Sequence, residues 1–232
     1  MKKVIKKLLV NLIERGDMMT KFKLAMFDMD GTLLKGRTIF VFADKKGFMD
    51  ELLNIINSDR ISYEKSIEIA KLSKGMHGSE LLEIFRDIPL QEHVETVIRE
   101  LKNKGITTAI ATNSYQFAAD DLKDRLGFDY AFANNLIIDN DIVTGELEIN
   151  NKNLTKHCDG CKIHSICKEQ VLESLCKKLG IKEEEVIAVG DGEIDNCMLK
   201  RAGLGVAFNA SEKVQQHADV ITDDMSVILN YI

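Results

Sequence analysis

The stretch KLAMFDMDGTLLKG, Lys23–Gly36, decides how the rest of the chain is read. Its apolar run, Leu24–Phe27, has strand character and ends in two carboxylates one residue apart, Asp28 and Asp30. Alternate side chains of an extended segment share a face, so both carboxylates point the same way. Gly31 then lets the backbone leave the strand sharply. Two such carboxylates repel unless a positive charge lies between them or one keeps a proton. Standing alone, Asp-Met-Asp-Gly also reads as an aspartate-capped turn.

Two further stretches weigh against a mere turn. ITTAIAT, Ile106–Thr112, is a buried strand followed by Asn113 and Ser114, and VIAV, Val186–Val189, is a strand followed by Asp191, Glu193 and Asp195. Between such strands lie helical patterns: Gln91–Asn103, Phe117–Leu126, Ser165–Leu179 and Cys197–Arg201. LGVAF and VIT, near the C-terminus, add two short strands. Strands alternating with helices of about 10–15 residues predict an α/β fold, a doubly wound and mostly parallel sheet. Ligands of such folds bind at the carboxyl ends of the strands, where the polar residues of this chain gather. Four or more carboxylates at one edge call for a hard divalent cation, Mg2+ by preference.

The segment between Lys35 and Pro89 carries helical spacing at Met49–Ile56, Tyr63–Leu72 and Ser79–Phe85, with little strand signal. It is read as a helical cap over residues 35–88, inserted in a core of residues 21–34 and 89–232. Residues 1–20 are read as an N-terminal extension, because Met18 and Met19 directly precede the first strand. NNLIIDNDIVTGELEI, Asn134–Ile149, alternates around Asp139–Asn140–Asp141 and predicts a β-hairpin insert.

Composition narrows the field. The chain has 232 residues, 45% of them hydrophobic and 29% charged, which supplies a core for one good-sized domain with a small accessory one. The net charge of -6 disfavours nucleic acid and anionic membranes as partners. No apolar run is long enough to cross a membrane, and the lysine-bearing start, MKKVIKKLL, lacks the apolar region of a signal peptide. The five cysteines read as reduced thiols of a cytoplasmic protein.

FDMDGTL, IATN, Lys168 and VGDGEIDN, in that order and strand context, resemble the four-motif set of the haloacid-dehalogenase-like (HAD) phosphohydrolases, and most of all the phosphoserine-phosphatase-like subgroup. The resemblance covers nearly all of the chain after Lys21. It implies a Mg2+-dependent phosphatase of a small phosphorylated metabolite, phosphoserine among the candidates. By this resemblance Asp28 is the nucleophile and Asp30 the general acid and base. Thr112 and the backbone amide of Asn113 bind phosphoryl oxygens. Lys168 neutralises phosphate charge and steadies Asp28; Lys162, in the neighbouring turn, is the less suitable lysine. Asp191, the Asp28 carboxylate and the Asp30 carbonyl hold the metal, and Asp195 orients its water shell or the lysine. A phosphotransferase using the same intermediate, or a non-catalytic binder of phosphate ligands, are the alternatives.

The resemblance is less close at the cap and at the second motif. Phosphoserine phosphatases carry a glutamate for the substrate ammonium where this chain has Arg37, which suits an anionic handle. They have Ser-Gly-Gly where this chain has Thr112–Asn113–Ser114. Arg60, Lys74 and His77 are read as surface residues of the cap. HCDGCKIHSICK, His157–Lys168, places Cys158, Cys161, His164 and Cys167 at spacings open to structural Zn2+, to redox chemistry or to ordinary thiols at a turn.

Overall fold

The computed structural model describes residues 21–156 and 161–232. The expected extension, residues 1–20, lies outside the described residues. A seven-stranded sheet runs through the centre in the order β4-β3-β2-β1-β5-β6-β7. The strands are β1 (Leu24–Phe27), β2 (Thr107–Tyr115), β3 (Tyr130–Asp139), β4 (Ile142–Glu148), β5 (Val186–Gly190), β6 (Leu204–Phe208) and β7 (Val220–Thr222). All neighbours pair in parallel except β3 and β4.

β1 is buried along its whole length and feeds both layers of core. Ala25 and Phe27 join one apolar cluster, while Leu24 and Met26 join the other. This is why the strand reads as a continuous apolar run, since a parallel sheet is covered on both faces. On the first face lie α5 (Val94–Asn103) and α6 (Gln116–Leu126), through Val97, Ile98, Leu101 and Leu122. On the second lie α7 (Lys168–Leu179) and α8 (Asn196–Arg201), through Leu172, Leu175, Met198 and Leu199. A short α9 (Glu212–Gln215) precedes β7.

Between β1 and α5 come four helices: α1 (Thr38–Lys46), α2 (Met49–Ile56), α3 (Ser62–Lys71) and α4 (Gly78–Arg86). α1 has no counterpart among the sequence-predicted helices. Its hydrophobic stretch, TIFVFADKK, is β-branched and aromatic at the start, which blurs the helical period. It forms because Thr38 N and Thr38 Oγ1 both donate to Asp30 Oδ1, at 3.1 and 2.6 Å, so that a carboxylate from outside the helix caps its first turn.

The hairpin forms where the alternation breaks. Asn140 and Asp141 both have positive φ, 47° and 67°, which a two-residue turn between twisted strands needs and which Asn and Asp tolerate. Its tip grips the helical segment. Gly78 N donates to Asp141 O, and Ser79 N and Ser79 Oγ donate to the Asp141 carboxylate, all at 2.8 Å. A second tie comes from the segment before α7. Tyr63 N donates to Ile163 O at 3.2 Å, and Ser62 Oγ lies 2.7 Å from His164 Nδ1. Together these hold α3 and α4 over the carboxyl ends of β1, β2 and β5.

Candidate active site

Strand register builds the site. Phe27 pairs with Ile110 on one side and with Val189 on the other, so the residues just beyond these three positions emerge side by side. Asp28 follows Phe27 directly, and its N–H donates to Val189 O at 2.9 Å. Thr112 and Asp191 stand two residues beyond Ile110 and Val189. Met29 is fully buried in the core, which turns Asp28 and Asp30 on either side of it toward the opposite direction.

Gly31 makes the approach of Asp191 possible. Its φ is +89°, and a Cβ there would lie 2.6 Å from Asp191 Oδ2. Any side chain would strain the turn and displace that carboxylate.

Lys168 opens α7 and is buried beneath the carboxylates. Its Nζ donates to Asp28 Oδ1 at 2.5 Å and to Asp195 Oδ1 at 2.6 Å. Asp195 Oδ2 accepts Gly192 N at 3.0 Å, so this wholly buried side chain is committed to the lysine and the loop. Burial alone pulls the pKa of the Lys168 ammonium down; Asp195 and Asp28 more than offset this and hold it above its ordinary value. Lys162 lines the pocket above and takes no part in this bridge.

The other carboxylates are held high. Burial, then the charges of Asp28 and Asp195, raise Asp191 well above the usual carboxylate range. Burial pushes Asp30 up to about 6, against the Thr38 hydrogen bonds that lower it, with Asp28 adding to the rise. Among the described residues, Asp28, Asp191 and Asp195 form the one group of metal-ligating side chains whose atoms lie within 4.8 Å of one another. An all-oxygen set with surplus negative charge fits Mg2+.

Thr112 is buried, and its Oγ1 accepts Ser114 N at 3.2 Å, which leaves its own hydrogen to donate. Asn113 is held by neighbouring side chains: its Oδ1 accepts Ser165 Oγ, while its carbonyl accepts Asn134 Nδ2 at 2.9 Å. Ser165 Oγ also reaches Ser66 Oγ, 3.1 Å away on α3.

A cavity of about 470 Å3 lies between these residues and the helices above, within the range of small-ligand sites. Asp28, Asp30, Thr112, Asn113, Asp191 and Arg37 line it. Ser62, Lys65, Ser66 and Ile69 line it too, and sequence reading did not single them out. Their spacing is the signal, because positions three and four apart on α3 share one face. Of the three cap residues read as surface, His77 pairs with Asp141 at 3.1 Å on the hairpin, away from the cavity.

The cysteine-rich turn does not assemble a metal site among the described residues. His164 Nδ1 is engaged by Ser62, and Cys161 Sγ donates to Lys162 O at 3.3 Å. Cys158 and His157 lie outside the described residues. Structural Zn2+ therefore has no support here. Cys161, Cys167 and Cys176 are free thiols. No helix among the described residues is long and apolar enough to cross a membrane.

Comparison with known proteins agrees with this geometry. A family model of haloacid dehalogenase-like hydrolases matches residues 22–203. A phosphoserine phosphatase of Methanocaldococcus jannaschii is 33% identical over 218 residues, covering 91% of this chain and 98% of that protein. One of Archaeoglobus fulgidus is 36% identical over 201 residues, covering 85% of this chain; the chain spans 55% of its length. A solved phosphoserine phosphatase, captured as an analogue of its phospho-aspartyl intermediate, superposes with a TM-score of 0.77 at 31% identity, covering 91% of this chain and 99% of that one.

Proposed function

The chain belongs to the haloacid dehalogenase-like hydrolase family, and from that premise we propose how its side chains divide the work of a phosphatase. The enzyme is a Mg2+-dependent phosphomonoester hydrolase that acts on a small phosphorylated metabolite through an aspartyl-phosphate. One observation carries the division of roles: Lys168 bridges Asp28 and Asp195, with Asp191 close enough to share a cation with both.

In the first step an Asp28 oxygen attacks phosphorus, and the bond to the leaving oxygen breaks. Asp30 gives that oxygen its proton. Thr38 occupies only Asp30 Oδ1, which leaves Oδ2 to carry the proton, and a pKa near 6 keeps a useful protonated fraction close to neutrality. In the second step water attacks the phosphoryl group on Asp28, Asp30 takes its proton, and phosphate leaves with Asp28 restored. Lys168 spends two of its three donors on Asp28 and Asp195 and aims the third at a phosphoryl oxygen. Thr112 Oγ donates to another. Asp28, Asp191 and the Asp30 carbonyl would hold Mg2+, which when bound offsets the charge of phosphate among carboxylates. Asp195 positions Lys168.

Residues 35–88 serve in this proposal as a cap, with residues 21–34 and 89–232 as the core; closure over the cavity excludes water from the aspartyl-phosphate. The names of the relatives make phosphoserine the first compound to test. A cytoplasmic setting belongs to the same proposal.

The test is phosphate release across a panel of phosphorylated metabolites, with Mg2+ and with EDTA. Release that needs Mg2+ and disappears in Asp28→Asn supports the assignment. Release that is indifferent to EDTA, or that survives Asp28→Asn, overturns it.

A further inference from the structure

The cavity changes character away from its reacting end. The carboxylates that line it are Asp28, Asp30 and Asp191, all at the strand ends. The remaining wall holds three cations, Arg37, Lys65 and Lys162, and no further carboxylate among the described residues. Arg37, at the start of α1, is 3.6 Å from Asp191 Oδ2 and otherwise open, with its side chain 59% exposed. Lys65, on the cavity face of α3, donates to Ile56 O at 2.7 Å; this uses one of three donors and none of the charge. Lys162 has no ion-pair partner among the described residues. Ser62 and Ser66 add hydroxyls on the same face of α3, and Ile69 and Ile56 supply an apolar floor.

His164, whose Nδ1 lies 2.7 Å from Ser62 Oγ, adds no charge to this wall. Burial, then the charges of Lys168 and Lys162, push its pKa down to about 4, so it stays neutral beside the cavity and brings no further positive charge.

We propose that the leaving-group half of this cavity recognises a second anionic group, a carboxylate or a second phosphate, through Lys65, Lys162 and Arg37, and that the preferred substrate carries no ammonium. This deepens the phosphatase reading above and rests on it. The physical reason is complementarity. An ammonium in this half would face Lys65 and Lys162 with no carboxylate on that wall to pair with, Arg37 already standing beside Asp191, and like-charge juxtaposition is how sites reject wrong partners. A carboxylate would meet free N–H donors on the half-buried Lys65 and on the exposed Lys162 and Arg37, and bonds between such charged partners are stronger than neutral ones. The phosphate of the same substrate is bound at the other end, so the molecule must carry two anionic termini across a short carbon frame.

Matched substrates test this directly. kcat/KM is measured with Mg2+ for 3-phosphoglycerate, glycerol 3-phosphate, phosphoserine and phosphoethanolamine, with fructose 1,6-bisphosphate against fructose 6-phosphate as the phosphate arm. The expected order places a compound with a second anion at least tenfold above its neutral counterpart, phosphoserine below 3-phosphoglycerate, and phosphoethanolamine last. The two arms distinguish carboxylate from phosphate as the preferred anion. Lys65→Met should erase most of that preference through KM, with Lys65→Arg restoring it. Equal rates within each matched pair, or phosphoethanolamine turned over as well as 3-phosphoglycerate, would overturn the proposal while leaving the phosphatase reading intact. Phosphate released from none of the compounds would overturn both. The substrate series uses the wild-type enzyme, so it decides the matter even if a Lys65 variant misfolds.

Discussion

Lys168 Nζ lies 2.5 Å from Asp28 Oδ1 where both side chains are nearly buried, at 1% and 7% exposure. The ammonium therefore fixes the rotamer of the carboxylate proposed to attack before any substrate arrives. Removing it leaves Asp28 and Asp195 buried without their counter-charge. Lys168→Met should lower kcat/KM by about a thousandfold or more, in line with the loss of a preorganised charge at a reaction centre. It should also cost about 3–5 kcal/mol of stability, the usual effect of breaking a buried pair. Steady-state kinetics and urea melts at neutral pH check both numbers. A variant that keeps most of its activity would remove the lysine from the mechanism.

Gly31→Ala asks what a single methyl does to metal ligation. The substitution combines a left-handed backbone position with a Cβ 2.6 Å from Asp191 Oδ2. The backbone strain alone is about 1–2 kcal/mol. Displacing Asp191 by about 1 Å should cost about a hundredfold in kcat/KM. The concentration of Mg2+ needed for half-maximal activity should rise as well, a readout that backbone strain elsewhere would not move.

The pH dependence of the metal-free protein follows from the raised carboxylates. Asp30 titrates near 6 in the folded state against 3.8 ordinarily, and Asp191 and Asp195 are also raised, burial being the largest cause in each case. The folded state thus holds more protons than the unfolded chain between about pH 4 and 7, and stability falls as pH rises through that window. In EDTA, the melting temperature should drop between pH 5 and pH 7.5. Added Mg2+ should recover more at the higher pH, where the carboxylates are free of protons. A melting temperature that climbs over the same interval in EDTA would contradict the carboxylate assignments.

Asp141→Ala tests the grip of the hairpin on the helices above the site. Asp141 accepts from Ser79 N and Ser79 Oγ and pairs with His77, so its loss removes these side-chain ties and leaves the start of α4 on the backbone bond from Gly78 N to Asp141 O. KM should rise severalfold with kcat changed less than twofold, and limited proteolysis should cut faster between α3 and α4. Unchanged KM and unchanged cleavage would show that the second tie, through Ser62 and His164, suffices.

Much of this was legible in the sequence, for identifiable reasons. β1, β2 and β5 announce themselves because both faces of the sheet are buried, which leaves continuous apolar runs. Asp139–Asn140–Asp141 marks the hairpin because Asn and Asp accept the positive φ the turn requires. The fold class and the gathering of Asp28, Thr112 and Asp191 at one edge follow from those strands. α1 stayed hidden, since its cap is a carboxylate supplied by Asp30 from outside the helix. Lys65 and Ser66 stayed hidden too: the spacing on α3 gives a shared face but cannot say which face looks into a cavity. The cysteine-rich turn has ligand spacing, but His164 spends its Nδ1 on Ser62, a contact with no signature in local sequence.

The most direct test of the central claim is to trap the covalent intermediate. The enzyme is mixed with Mg2+ and a turned-over phosphomonoester, quenched in acid during steady-state turnover, and its peptides are analysed by mass spectrometry. One base-labile phosphoryl group on Asp28, absent from Asp28→Asn, is the predicted result. Turnover with no phosphoryl group on the protein, or with one that maps to another residue, would contradict the account.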